Sequence, residues 1–114
     1  MRVPSMEGLL SLAAAVATST SLLRVGLAYN SIGAGGGKAI GDAFGRNSSL
    51  TALDIGGNLI GLKGGKAIAD ALTANLSLRH VDVRFNSLDA ATKTHLRDAA
   101  QARAAAELTT RIDM

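Results

Sequence analysis

The chain has 114 residues, enough for one domain with a modest core. Its 12 basic and 9 acidic residues give a formal charge of +3, with the signs interspersed and no run of like charge, so neither a nucleic-acid nor a membrane-surface patch is implied. There is no cysteine, which excludes disulfides and thiolate metal sites and suits a reducing, cytoplasmic setting.

Apolar residues make up 47% of the sequence, yet Tyr29, Phe44 and Phe85 are the only aromatics, so the core must be aliphatic. At the N-terminus, Arg2 precedes the apolar run Leu9–Ala17, which closes on Ala15-Val16-Ala17. That is the layout of a secretory signal, and on that reading the chain would be secreted. Shifted by 28 residues, however, Leu12 falls under Ile40 and Ile68, Ala15 under Ala43 and Ala71, and Ser21-Leu22 under Ser49-Leu50. A cleaved signal has no reason to keep that register, so residues 1–21 read as the helix of a truncated repeat. The run is shorter than the ~20 residues a membrane span needs. A chain that opens in mid-repeat, with no polar cap, reads as a piece of a longer array or a short relative of one, with an uncapped N-terminal end open to self-association.

Leu22, Val25 and Leu27 recur as Leu50, Leu53 and Ile55 and again as Leu78, Val81 and Val83. An asparagine follows at Asn30, Asn58 and Asn86, and two residues later come Ile32, Ile60 and Leu88. The alternation at the end of each apolar set predicts a short strand. An asparagine at the strand exit can satisfy turn backbone in its own unit and the next, forming a ladder. Gly33 and Gly61 then permit a turn at positive φ, and Gly36 and Gly64 permit close backbone passage. Ala39/Ile40 with Ala43/Phe44, and Ala67/Ile68 with Ala71/Leu72, continue at helical spacing. The units are therefore residues 22–49, 50–77 and 78–114, each a strand, a loop and a helix, in one domain. Helices need ~10 Å of lateral room and strands only ~4.8 Å, so such a stack bends with its strands on the inside.

The threefold L-x-x-L-x-L-x-x-N-x-I/L resembles the leucine-rich-repeat family, in its 28-residue, ribonuclease-inhibitor-like class, whose units continue I-G-x-x-G as Ile32-Gly33…Gly36 and Ile60-Gly61…Gly64 do. The resemblance implies an α/β leucine-rich-repeat solenoid, a horseshoe segment with parallel strands on its concave face and helices on its convex face. Similar repeats occur in ribonuclease inhibitors, Ran GTPase-activating proteins and the sensor regions of nucleotide-binding immune receptors.

The third unit departs from the pattern. Asp89 replaces the turn glycine and Thr92 the second one, so Asp89 reads as the N-cap of a longer helix from about Ala90 to Leu108. Leu96, Ala100, Ala104, Leu108 and Ile112 form its expected apolar stripe, with Arg97, Asp98, Arg103 and Glu107 facing water. This lengthened helix is expected to cap the C-terminal end.

Chemistry-bearing motifs are sparse. GAGGGKAI and GLKGGKAI lack the Ser or Thr that a phosphate loop needs after its lysine. His80 and His95 fall in different elements and read as surface residues. No cofactor, metal site or catalytic constellation is expected, and the chain reads as non-enzymatic. Asn47-Ser48-Ser49 and Asn75-Leu76-Ser77 match the glycosylation sequon because Asn-x-Ser-Leu is the junction between repeats. Lys38/Asp42 and Lys66/Asp70 are four apart on the outer helix face.

What remains is the concave sheet. Its outward residues should be Arg24, Gly26 and Ala28; Ala52, Asp54 and Gly56; His80, Asp82 and Arg84, with Tyr29 and Phe85 at the strand exits. Exposed aromatics among Arg and Asp suit a protein partner, so Arg24, Tyr29, Asp54, His80, Asp82, Arg84 and Phe85 are the candidate binding residues, and Asn30, Asn58 and Asn86 the structural ladder. Three strands offer about 500 Å², below the ~800 Å² per partner of a standard interface. The expected function is a protein-interaction module without nucleic-acid or membrane partners. The alternatives are a part of a small-GTPase-activating protein or a remnant of a longer leucine-rich-repeat sensor.

Overall fold

The computed structural model describes residues 6–105 and 110–114. The elements run in strict alternation: α1 (Met6–Thr18), β1 (Arg24–Gly26), α2 (Gly33–Arg46), β2 (Ala52–Asp54), α3 (Gly61–Ala74), β3 (His80–Asp82), α4 (Ala90–Ala105) and β4 (Arg111–Asp113). The strands form one parallel sheet in the order β1-β2-β3-β4. Arg24 pairs with Ala52 and Ala52 with His80, so the step between the first three strands is the sequence period itself.

The repeated leucines do what the pattern requires. Leu50, Leu53, Ile55, Leu78, Val81 and Val83 are at most 1% exposed and join Ile40, Phe44, Ile68 and Leu72 from the helices in one aliphatic core. Burial of each such side chain contributes on the order of 2 kcal/mol. At Gly41 an added Cβ would lie 2.9 Å from the Ala67 backbone carbon and Cβ, so α2 and α3 touch backbone to backbone there.

Met6–Thr18, within the candidate signal segment, forms a packed helix. Leu9, Ala13 and Val16 of α1 are buried, at positions 28 residues before Gly37, Gly41 and Phe44, so α1 stacks on α2 in the repeat register. Among the described residues, no helix is long and apolar enough to cross a membrane.

The C-terminal unit differs from expectation in three ways. Asp89 does cap α4, its Oδ1 accepting the Thr92 backbone N–H at 2.8 Å. But the buried stripe of α4 is Thr92, Leu96, Ala99 and Arg103, while Ala104 is exposed. Ile112, expected on the helix, lies in β4 opposite Val81. The expected helix positions Glu107 and Leu108 lie outside the described residues. Finally, Arg103, expected in water, is 4% exposed. It stands 28 residues after Asn75, and the reason for its burial is a second ladder that the sequence reading missed.

That ladder runs along the C-terminal ends of the helices. Asn47 Nδ2 donates to the carbonyls of Val16 and Ser19 at the end of α1, and Asn75 Nδ2 donates to those of Phe44 and Asn47 at the end of α2. Arg103 takes the next rung, donating to Leu72 and Asn75 at the end of α3 and to Leu78. Each rung thus satisfies the orphan carbonyls of the preceding helix. A cation is suited to the last one because a helix C-terminus carries partial negative charge. Burial lowers the pKa of Arg103 from its ordinary value, and no carboxylate pairs with it among the described residues. The sequons are accounted for as well: Asn47 and Asn75 are 3% and 1% exposed, with their amides engaged.

Candidate functional site

The concave face is assembled by strand register. One row across the sheet is Arg24, Ala52, His80 and Arg111, and the row two residues on is Gly26, Asp54, Asp82 and Asp113. The first row carries the cationic and imidazole groups and the second the carboxylates. Arg111 and Asp113 are absent from the residues expected on this face, because β4 enters 31 residues after its partner rather than 28.

The charges fall into two groups. On β3 and β4, Arg84 makes a two-pronged contact with Asp82, Nε at 3.1 Å from Oδ1 and Nη2 at 2.8 Å from Oδ2. His80 Nε2 lies 2.7 Å from Asp113 Oδ2, and the Arg111 guanidinium lies 3.0 Å from the same ring nitrogen. A single nitrogen cannot both donate to Asp113 and accept from Arg111, so one tautomer satisfies one contact. The Arg84 hydrogen bond holds the Asp82 carboxyl below its ordinary pKa, and that of His80 does the same for Asp113. Asp82, expected to point outward, is on this face but only 7% exposed beneath these neighbours.

On β1 and β2 the charges are unspent. Arg24 is exposed, and no ion pair joins it to a described carboxylate. Asp54 is half-buried and its Oδ1 accepts only the Gly56 backbone N–H, at 3.0 Å.

The strand exits carry the apolar part of the site. Tyr29 and Phe85 are 71% and 70% exposed, and Leu59, which the sequence reading passed over, is 67% exposed. All three have φ near +60° (57°, 61° and 57°), a backbone region costing a side-chain-bearing residue roughly 1–2 kcal/mol. Leu59 was findable from the register, since Ser31 and Ser87 hold its place in the neighbouring units. Gly57 lies between the aromatics, and the Tyr29 ring leans across it so closely that a Cβ there would sit 2.4 Å from the ring.

The ladder beneath this rim is complete in the interior. Asn58 Oδ1 accepts the backbone N–H groups of Asn30 (2.7 Å) and Ile32 (3.3 Å), and its Nδ2 donates to Leu27, Ile55 and Gly56. Asn86 repeats this with Asn58, Ile60, Ile55, Val83 and Arg84. Asn30 donates to Leu27 and Ala28.

The remaining sequence candidates lie elsewhere. The glycine-lysine segments are inside α2 and α3, with Gly36, Gly37, Gly64 and Gly65 buried. Lys38 pairs with Asp42 at 2.9 Å, but Asp70, expected to pair with Lys66, instead meets His95 of α4 at 3.3 Å. Among the described residues no group of three or more His, Asp or Glu is placed to hold a metal ion.

Two stretches, residues 18–41 and 46–69, match the family model described as Leucine Rich repeat. No curated protein matches the chain. Among solved structures, the one titled Leiomodin-1 Actin-Binding Site 2 is similar in fold, with a TM-score of 0.83 at 20% sequence identity over 96% of this chain. The chain spans 62% of that structure's length. With two units matched, the parallel sheet stepping at the repeat period and the shared fold, the chain has the α/β solenoid fold of leucine-rich repeats.

Proposed function

We propose that the chain is a protein-interaction module of the ribonuclease-inhibitor-like class, binding its partner across the concave sheet face and the strand-exit rim. The observation that carries this is the rim itself. Three large apolar side chains, Tyr29, Leu59 and Phe85, stand about two-thirds exposed on a backbone conformation that costs stability. A conformation that is unfavourable to folding and presents apolar surface to solvent is what a binding edge requires. Arg24 and Asp54 supply unspent charges beside it, suited to orienting a partner.

The test is a pull-down with the wild-type chain and the Tyr29→Ala/Phe85→Ala double variant. The actin-binding title of the similar structure makes actin a first candidate to screen, and a panel of small GTPases with a hydrolysis readout is the second. Loss of both rings from a rim contact should weaken a captured partner by tenfold or more, since an aromatic anchor is worth ~2 kcal/mol. Equal capture by both proteins would remove the rim from the interface.

A further inference from the structure

On the convex side, grooves separate successive helices. The groove between α3 and α4 is mostly apolar and holds about 190 Å³ among Leu62, Lys66, Ala91, Thr92 and His95. Its floor is tight, since a Cβ on Gly65 would lie 2.4 Å from Thr92 Cγ2. One wall is Leu62, 60% exposed at a register position that Ala34 and Ala90 hold in the neighbouring units. The walls belong to two adjacent units, so the groove owes nothing to either end of the solenoid.

The charge beside this groove has lost its local partner. In α2, Lys38 pairs with Asp42 at 2.9 Å, and Asp42 shares the α2–α3 groove with Ala67. At the register position of Ala67, α4 instead carries His95, whose Nε2 draws the Asp70 carboxylate to 3.3 Å. Lys66, the counterpart of Lys38, is left with no carboxylate partner among the described residues. An exposed ammonium group therefore borders an apolar groove, and the carboxylate that would have neutralised it is engaged elsewhere.

We infer that the α3/α4 groove is a docking site for a protein partner that inserts one apolar side chain between Leu62 and Ala91 and sets a neighbouring carboxylate against Lys66. Charge decides the chemistry of the occupant: an acidic residue meets an open cation there, whereas a basic one would meet a like charge. Volume decides its size. Small-molecule sites run from roughly 300 to 1,000 Å³. A groove of about 190 Å³ takes a single side chain of a larger partner rather than a free metabolite. The scaffold accepts alanine at the position of Leu62, so the exposed leucine serves the groove and not the repeat. This site lies across the helices from the concave sheet and stands whether or not that face binds.

A heteronuclear NMR titration of the full chain with N-acetyl-leucyl-aspartyl amide tests this, with the leucyl-asparaginyl amide as neutral control. One anchored side chain gives weak binding, with a dissociation constant on the order of 1 mM. The expected result is saturable shifts centred on residues 62–66 and 91–95, with the neutral peptide binding about threefold more weakly. Lys66→Gln should erase that difference. Leu62→Ala should weaken both peptides by roughly threefold or more, at an exposed position where alanine is compatible with the fold. The absence of saturable shifts in these segments overturns the proposal. So does equal binding of the two peptides, a difference that survives Lys66→Gln, or a titration abolished by Tyr29→Ala/Phe85→Ala, which would place the peptide on the rim.

Discussion

At the scale of single residues, the asparagines show how one side chain serves two units at once. Asn58 is fully buried and makes five hydrogen bonds, three as donor and two as acceptor. Asn30 occupies the same register position but makes only its two donor bonds. An Asn58→Ala substitution strands the backbone N–H groups of Asn30 and Ile32 in the interior, while the carbonyls of Leu27, Ile55 and Gly56 keep the Asn30 amide, the Asn86 amide and the Tyr29 N–H. Each stranded group costs about 1–3 kcal/mol before water or relaxation relieves it. The expected loss is 3 kcal/mol or more for Asn58→Ala and roughly 1–2 kcal/mol for Asn30→Ala. Urea melts of the two variants check the order. Equal losses would show that the cross-unit bonds contribute little beyond the local turn. This ladder was legible beforehand because three asparagines recur in phase, each at a strand exit where turn backbone needs a partner. Leu59 was not, since an apolar residue after Asn58 looks like core until the neighbouring units show serine there.

The elements show where periodicity stops being informative. Strands β1 to β3 and helices α1 to α3 follow one step, so pattern and structure agree to within a residue or two. In the last unit α4 has 16 residues where α2 and α3 have 14, and β4 enters three residues late. An apolar i+4 stripe extended through Ile112 therefore looked helical when the chain had already turned back to the sheet. Arg103 was missed for a related reason: a charged residue on a helix is ordinarily solvated, and only its distance of 28 residues from Asn75 marked it as a rung. Its role makes a prediction. Arg103→Met keeps the length and apolar stem but removes the guanidinium bonds to the carbonyls of Leu72, Asn75 and Leu78 and to the Thr110 hydroxyl, leaving Leu78 only the hydroxyl of Thr110. Stability should fall by roughly 2–4 kcal/mol, with β4 amides losing hydrogen-exchange protection before those of β2. If β4 keeps its protection, the strand is held by its ladder with β3 alone.

For the molecule as a whole, polarity runs along the solenoid as well as across it. The N-terminal units are aliphatic and glycine-rich with unspent charges. The C-terminal unit gathers the ion pairs of the concave face, Arg84–Asp82 and His80–Asp113, on β3 and β4. Fold class and register were readable because every unit repeats the same solution. The concave electrostatics were not, because Arg111 and Asp113 come from a strand outside the period. These pairs give the whole chain an acid limit. Asp82 and Asp113 have folded-state pKa values below the ordinary 3.8, through Arg84 and His80 respectively. A depressed folded value means that the unfolded chain takes up protons first as pH falls. Their contribution is therefore complete well above pH 3.8 and is lost as pH drops through about 4 toward the lower folded values. Thermal melts from pH 7 to pH 2 should show a plateau above about pH 5 and a falling limb below it. Asp82→Asn, which removes the charge beneath Arg84 but keeps a similar shape, should lower the plateau and flatten the limb, its curve converging on the wild type at the acid end. A constant offset between the two curves at every pH would mean that Asp82 acts through its hydrogen-bond geometry, and that its charge adds nothing to the stability of the sheet.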